Sequence, residues 1–391
     1  MAAGIDGFAL NAGGWVDSRG VHLKAVCQRY FEAALGTDFK LFMSPDMGAL
    51  TRADVQDMMD LWKDHPNYFY HEGKQFLSAY SAQVAPNDWW QKTIAGRNIF
   101  FAPQCHVGAF ADSPNVTEAE IAAKIDTYPI CDGFHYFGAA GIPTNTDSEF
   151  SITFEGEAWS RVCASRGKFL MGTFGDGYWG QRQVADGRRY YDYQFGEGME
   201  HQIRSLLGVQ TNVTLVEFVT WNDFLESYIA PIKDADERWP HFEPRQAGYH
   251  KSRAGALGLL SYFIQWFKAG EQPPILRDQL FWSYRTHPKD AVARNDPLGP
   301  VTQLNGNPQD VIYITTLLTA PATLKVATGD ARTMYTIPAG MSHRRIFYNV
   351  GKQRFELERN GAVIARGAGD DVIAKPRHTN FWHTTGMAAA K

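Results

Sequence analysis

The stretch LVEFVTWNDFLESYI (215–229) opens as an apolar, β-branched run and stops abruptly at Trp221-Asn222-Asp223, with Glu226 three residues further on. A short continuous apolar run reads as a strand buried on both faces, the kind found in parallel sheets covered by helices. In a parallel barrel the chemistry comes from the carboxyl ends of the strands. The polar cluster after Thr220 sits where such a strand would end.

The chain before 215 repeats this theme. DGFAL (6–10), FKLFMS (39–44), QFLSAY (75–80), NIFFAP (98–103), GFHYFG (133–138) and FLMGTF (169–174) are further strand-like runs. Between them lie helix-like segments at 51–63, 117–125 and 148–165, and a long helix is expected at 247–269. The first two begin at a Thr followed by acidic residues, as helix N-termini do. Alternation of strand and helix implies a parallel sheet with helices over it. Seven strands are countable, where a closed barrel needs eight. The expectation is therefore an α/β fold, a (β/α)8-type TIM barrel apparently lacking its first strand, over residues 1–272. GEQPP (270–274) reads as a linker. Beyond it QLFWSYR, DVIYITTLL, TLKVATG, RRIFYNV and RFELERN are divided by the turn signals NGN, TGD and NGA. That pattern predicts a small antiparallel β-sandwich over 273–391.

Composition narrows the function. The 391 residues are 44% hydrophobic, enough for a sizeable core, and the net charge of −4 offers no electrostatic footprint for nucleic acid or an anionic membrane. No run is long and apolar enough to span a membrane, and Met-Ala-Ala-Gly-Ile-Asp lacks the regions of a signal peptide. Aromatic residues are 14% of the chain, which suits either a large core or faces that stack on sugar rings. Cys27, Cys105, Cys131 and Cys163 form no Cys-x-x-Cys pair and read as free thiols.

The strand ends supply the candidate site. In order they carry Asn11; Asp46; Tyr80 and Gln83; Gln104 and His106; His135 and Tyr136; Asp176, Tyr178 and Trp179; and Trp221, Asn222, Asp223 and Glu226, with Trp15 near the first. If the chain turns helically after Thr220, Asp223 and Glu226 lie on one helix face. Two carboxylates facing one cleft push their pKa values apart, so that one serves as acid and the other as base, as glycoside hydrolysis requires. The same spacing also fits a helix N-cap with a capping box. His106, His135 and Asp176 lack metal-ligand spacing, and no metal or other cofactor is expected. Cys105 and His106, adjacent on a strand, point to opposite faces. GTFGDGYWG (172–180) lacks the Lys and helix of a phosphate loop.

GIDGFALN (4–11), LFMSPDM (41–47), YFYHEGKQFLSAY (68–80), VTWNDFLESYI (219–229) and FWSYRTHPKDA (281–291) together resemble glycoside hydrolase family 71, the endo-α-1,3-glucanases called mutanases. The pieces fall in the family's order across most of the chain. The resemblance implies a barrel with a β-sandwich behind it and hydrolysis of a polysaccharide or oligosaccharide with inversion, secretion included. It also implies Asp46, Asp223 and Glu226 as the functional carboxylates. Inversion sets acid and base roughly 6.5–9.5 Å apart to admit a water. Glu226 is assigned as acid, Asp223 as base and Asp46 as an orienting group, the first two being interchangeable. Trp221, Asn222, Asn11, Tyr80, His106, His135, Tyr136, Asp176, Tyr178 and Trp179 are assigned to the substrate cleft. The chain departs from the family at Leu225, where the family has Gly; at Ser227-Tyr228, where a His is missing; and in the loop GTFGDGYWGQR (172–182). Altered walls leave open a related barrel glycosidase with another linkage, such as an endo-α-mannosidase, and a non-catalytic glycan-binding protein.

Overall fold

The computed structural model describes residues 3–15, 23–107, 116–137, 151–180, 188–224, 226–230, 251–293, 304–305, 308–376 and 379–390, with backbone alone at 151–154, 188–189 and 304–305. The chain groups into two compact units. The first takes 1–142, 152–174 and 204–218; the second takes 143–151, 175–203 and 219–391.

The first unit is built on the expected runs. Its strands are β1 (Gly7–Ala12), β2 (Lys40–Pro45), β3 (Tyr70–His71), β4 (Lys74–Leu77), β5 (Ile99–Phe101), β6 (Gly133–His135), β7 (Phe169–Phe174) and β10 (Leu215–Phe218). β1, β2, β4 and β5 pair in parallel in that order, while β3 folds back antiparallel onto β4. β6, β7 and β10 form a second parallel set, and a parallel bridge from Gln104 to His135 joins the end of β5 to β6. The helices α1 (Leu23–Ala34), α2 (Arg52–Leu61), α3 (Asn87–Ile94), α4 (Glu118–Thr127) and α5 (Ser151–Ser165) alternate with these strands. β2 and β7 are buried at every residue but their first, as strands covered on both faces must be.

Local chemistry explains the helix starts. Thr51 and Thr117 each close a capping box, with Asp54 and Glu120 reaching back to the Thr backbone N–H. Much of the aromatic content goes into the interior. Phe31 stacks on Trp62 and Tyr68, and Phe42, Phe69, Phe76, Phe100 and Phe169 pack edge on and face on under the strands. The four cysteines are buried free thiols.

In the second unit two four-stranded antiparallel sheets share one apolar cluster. β13 (Gln279–Arg285), β15 (Val311–Leu318), β18 (Gly340–Phe347) and β21 (His383–Ala389) make one, in the order β18-β15-β13-β21. β16 (Ala322–Thr328), β17 (Ala331–Ile337), β19 (Gly351–Arg359) and β20 (Ala362–Val372) make the other, in the order β17-β16-β19-β20. Between them Trp282 stacks on Phe355 at 4.8 Å, and Leu280, Ile314, Leu324, Val326 and Leu357 surround the pair. Gly367 and Gly386 make room for the indole, since a Cβ on either would lie within 2.3 Å of it. The alternate burial along β16 is the period-two pattern that the sequence shows there.

Smaller strands complete this unit: β8 (Tyr178–Trp179), β9 (Arg188–Tyr191), β11 (Asn222–Asp223), β12 (Ser227–Tyr228) and β14 (Leu304–Asn305). α6 (Gly196–Gly208) follows β9 in sequence. α7 (Ala254–Ala269) lies so close to β21 that a Cβ on Gly255 would meet the carbonyl oxygen of Gly386 at 2.3 Å. The long helix thus begins at Ala254 rather than 247. Residues 251–253 are non-helical, and 247–250 lie outside the described residues, as do 148–150 ahead of α5. No described helix is long and apolar enough to cross a membrane.

Candidate active site

In the first unit the ends of adjacent parallel strands hold Asp46 and Tyr80 side by side. The Asp46 N–H donates to Ala12 O at 3.0 Å, the Met47 N–H to Tyr80 O at 3.1 Å and the Tyr80 N–H to Pro45 O at 2.8 Å. The partly exposed Asp46 carboxylate accepts from the Gly48 N–H at 3.3 Å and lies beside Gly13, where a Cβ would sit 3.4 Å from Oδ2. The Tyr80 ring meets His106 and Phe137 edge on at 5.4 and 5.0 Å. His106 is fixed on three sides. Gln83 Oε1 accepts from its N–H, the Gln104 amide donates to Nδ1 at 3.0 Å, and Nε2 faces Ser81 Oγ at 3.0 Å. Burial, reinforced by Lys124, pushes the imidazole down to about 4, so it is neutral near pH 7. Asn11 is exposed and donates to Ser44 O.

Other candidates on this unit face inward. His135 is 2% exposed; its Nδ1 meets Ser78 Oγ at 3.0 Å and its Nε2 lies 3.5 Å from Glu217 Oε2. Burial pushes His135 down to about 4 and Glu217 up to about 7, so the imidazole is neutral near pH 7 and the contact is not an ion pair there. Tyr136 is buried with its hydroxyl donated to Gln210. Trp15 is buried and donates to Asp57. Cleft positions for these three on the strength of strand-end location alone overlook that a polar group on an apolar strand can be satisfied internally. Glu217 was not singled out in the sequence. Its signal was a lone carboxylate within LVEFVT.

The second unit carries the WNDFLES segment, and here the helical reading fails. Two short strands make a tight hairpin: β11 pairs antiparallel with β12, Asn222 opposite Tyr228 and Asp223 opposite Ser227. The Glu226 N–H donates to Asp223 O at 3.2 Å, so the three-residue spacing is that of a β-turn and not of a helical face or a helix N-cap. Thr220 Oγ1 accepts from the Asp223 N–H at 2.9 Å, and its hydroxyl donates to Ser227 O. Asn222 is exposed, while Trp221, Asp223 and Glu226 are half-buried. Leu225 lies outside the described residues.

The hairpin rests on a dense support. The Trp179 N–H donates to Glu226 O at 2.9 Å, and Ser227 Oγ lies within hydrogen-bond distance of Val219 O and Gly177 O. Trp179, Tyr190, Tyr228, Phe381 and Trp382 pack into one aromatic cluster that Phe224 joins. The Asp176 carboxylate, wholly buried, pairs with Arg253, whose Nε donates to Tyr228 O and whose Nη1 donates to His383 O. Burial outweighs Arg253 and holds the Asp176 carboxyl above the usual carboxylate range. Asp176, Tyr178 and Trp179 are therefore interior here, and the expectation that they face a substrate is corrected to a buried position. Sequence gave no motif for Arg253. The FWSYRTHPKD motif is also structural. Arg285 is buried against Asp310, and His287 Nε2 accepts from the Asn380 N–H. Among the described residues no group of His, Cys, Asp and Glu side chains could hold a metal ion.

The second unit carries two half-buried acids on one turn, and the first a partly exposed carboxylate at a strand end. The sequence pattern of glycosyl hydrolase family 71 matches residues 1–391. The chain belongs to that family and is a glycoside hydrolase. It is 25% identical to the glucan endo-1,3-alpha-glucosidase agn1 of Schizosaccharomyces pombe, over 99% of this chain and 88% of that protein. It is equally 25% identical to a mutanase of Penicillium rubens, over 97% of this chain and 81% of the relative. Among solved structures, the GH99 endo-alpha-mannosidase of Bacteroides thetaiotaomicron aligns with a TM-score of 0.49 and 16% identity, over 68% of this chain and 81% of that one.

Proposed function

We propose that this family 71 chain is an endo-acting hydrolase of α-1,3-glucan that inverts the anomeric carbon, with Asp223 and Glu226 as the base and acid. The observation that carries the reading is the β11–β12 hairpin, which offers two half-buried carboxylates on one turn beside the half-buried Trp221. Asp46, held by the ends of β1, β2 and β4, orients the sugar or the water. Tyr80 and Trp221 are the stacking surfaces, and Asn11, Asn222 and His106 are the hydroxyl partners. His106, neutral over the working pH range, exchanges hydrogen bonds without adding charge. In this reading the seven parallel strands belong to a (β/α)8-type barrel domain at 1–272, and the two antiparallel sheets form a β-sandwich domain at 273–391.

The chemistry follows from the residue types. The acid protonates the glycosidic oxygen as the bond breaks, and the base takes a proton from the water that attacks the opposite face. The test is reducing-sugar release from insoluble α-1,3-glucan, beside α-1,4-glucan and α-mannan, with Asp223→Asn in parallel. Release from α-1,3-glucan alone, lost in the variant, supports the reading. Release from mannan alone replaces the substrate, and glucan retention without release replaces catalysis by binding. The anomer first seen by proton NMR decides inversion.

A further inference from the structure

A two-stranded hairpin with two paired residues on each side does not hold its own shape in water. Asp223 and Glu226 nevertheless sit on one, where acid–base chemistry demands fixed positions. The rigidity comes from the segment 175–179 and from Arg253. The Trp179 N–H binds Glu226 O, the main chain of an acid/base residue itself. Ser227 Oγ reaches Gly177 O from the next residue. Arg253 Nε binds Tyr228 O, one residue further along β12, while Nη1 binds His383 O and Nη2 binds Asp176. One guanidinium thus joins the hairpin, the 175–179 segment and β21. Its Cζ lies over the Trp382 ring, 5.0 Å from the ring centre, and over that of Tyr228 at 5.9 Å.

Arg253 is 2% exposed, and the Asp176 side chain is wholly buried. Asp176 Oδ1 has no hydrogen-bond partner among the described residues, and the pairing with Arg253 runs through Oδ2. A buried pair of this kind is a weak source of stability, since apolar residues of the same volume serve as well. What this pair does supply is geometry, because its guanidinium binds Tyr228 O in β12.

We infer that Asp176 and Arg253 are a positioning pair that fixes the Asp223/Glu226 hairpin for catalysis, through Tyr228 O on one side and the 175–179 segment on the other. The inference rests on the assignment of Asp223 and Glu226 as the acid and base. Arg253→Lys keeps a cation against Asp176 but cannot serve Tyr228 O and His383 O together. Asp176→Asn removes the charge and keeps the shape.

The test compares both variants with the unaltered full chain by hydrogen exchange of peptides spanning 177–180 and 226–229, and by kcat and KM on α-1,3-glucan. Exchange in those peptides is expected to rise at least about tenfold, with β15 and β16 unchanged. Turnover should fall roughly 10–100-fold, with KM within about twofold, as loss of transition-state geometry requires. Arg253→Lys should show the smaller change, and it carries the test if Asp176→Asn does not fold. Unchanged exchange in the hairpin peptides overturns the inference, and so does faster exchange with kcat unaltered. A wild-type chain inactive on α-1,3-glucan refutes the substrate instead; exchange then still decides the anchoring, and the kcat comparison moves to whichever control glycan is cleaved.

Discussion

The two units present carboxylates in opposite ways. Asp46 stands at the end of a parallel strand, where the backbone bonds of β1, β2 and β4 run on past it and fix its place. Asp223 and Glu226 stand on a hairpin with a ladder of two residue pairs. The first arrangement gets its geometry from the sheet. The second adds to a few main-chain bonds, that from Trp179 among them, the hold of side chains: a serine hydroxyl, a buried ion pair and a floor of aromatic rings. The lesson is where mutations should hurt. Around Asp46 the support is spread over many main-chain bonds, whereas under the hairpin a few side chains carry it.

The largest effect expected is on the carboxylates themselves. Asp223→Asn and Glu226→Gln should each lower kcat by about a thousandfold, near 4 kcal/mol of barrier, with the thermal midpoint preserved. Asp46→Asn should cost less, because an orienting group transfers no proton. Steady-state kinetics beside calorimetry checks all three. A variant at position 223 or 226 that retains wild-type turnover removes the hairpin from the chemistry, and with it this side of the contrast.

Acid should separate the units next. In the second, burial depresses His287 and His383 to about 4. Between pH 4 and 6.5 the unfolded chain binds protons that these folded rings refuse, so stability falls as pH drops through that window. Each ring contributes on the order of 3 kcal/mol. Asp176, raised by burial, works the other way. In the first unit the balance is closer. His106 and His135 are also near 4, but Glu155 and Glu217 are raised to about 7. A raised carboxyl holds its proton in the folded state, so its contribution is present at low pH and lost as pH rises toward 7, opposite in sign to the histidines. Exchange protection in β13 and β21 should therefore fail at a higher pH than in β2 and β4. Loss in the reverse order would mean that the buried rings do not govern acid stability.

A smaller and more local effect belongs to Ser227. It is 1% exposed, and its hydroxyl lies against both Gly177 O and Val219 O. Ser227→Ala strands those carbonyls, at about 1–3 kcal/mol. Because the serine follows Glu226, turnover should fall along with stability. Gln83→Ala is the matched change in the first unit. It deprives the His106 N–H of its acceptor and should reduce stability by a similar amount, with less loss of kcat. Equal losses of kcat from the two would erase the proposed difference in support.

The parallel strands at 39–44 and 169–174 were legible because burial on both faces forces an apolar run; the run at 215–220 also became a strand, β10, but one that is half-buried throughout rather than buried on both faces. The hairpin was not. An Asp followed three residues later by a Glu fits a helix start, a helical face and a β-turn alike, and local sequence cannot choose among them. The choice was made by Trp179 and Gly177, more than forty residues upstream in sequence. The aromatic content was ambiguous in a similar way. A ring suited to stacking on a sugar is equally suited to stacking on Trp62 or Phe355, and position along a strand does not tell the two apart. Arg253 left no signal, because its partners at 176, 228 and 383 meet only in three dimensions.

The smallest effect tests the legible side. Thr51 caps α2: its hydroxyl accepts from the Asp54 N–H, and Asp54 accepts in return from the Thr51 N–H at 2.9 Å. Both residues are exposed enough that removal leaves no cavity, so Thr51→Ala should cost only the cap, about 1 kcal/mol. The α2 helix follows the strand that ends at Asp46, and loosening its first turn probes whether that carboxylate depends on the helix after it or on the strands beside it. The ladder bonds to Ala12 and Tyr80 involve no atom of α2, so kcat should stay at the wild-type value while the melting temperature drops slightly. If kcat falls too, Asp46 depends on its following helix as the hairpin carboxylates depend on Arg253, and the contrast between a sheet-held and a side-chain-held acid must be given up.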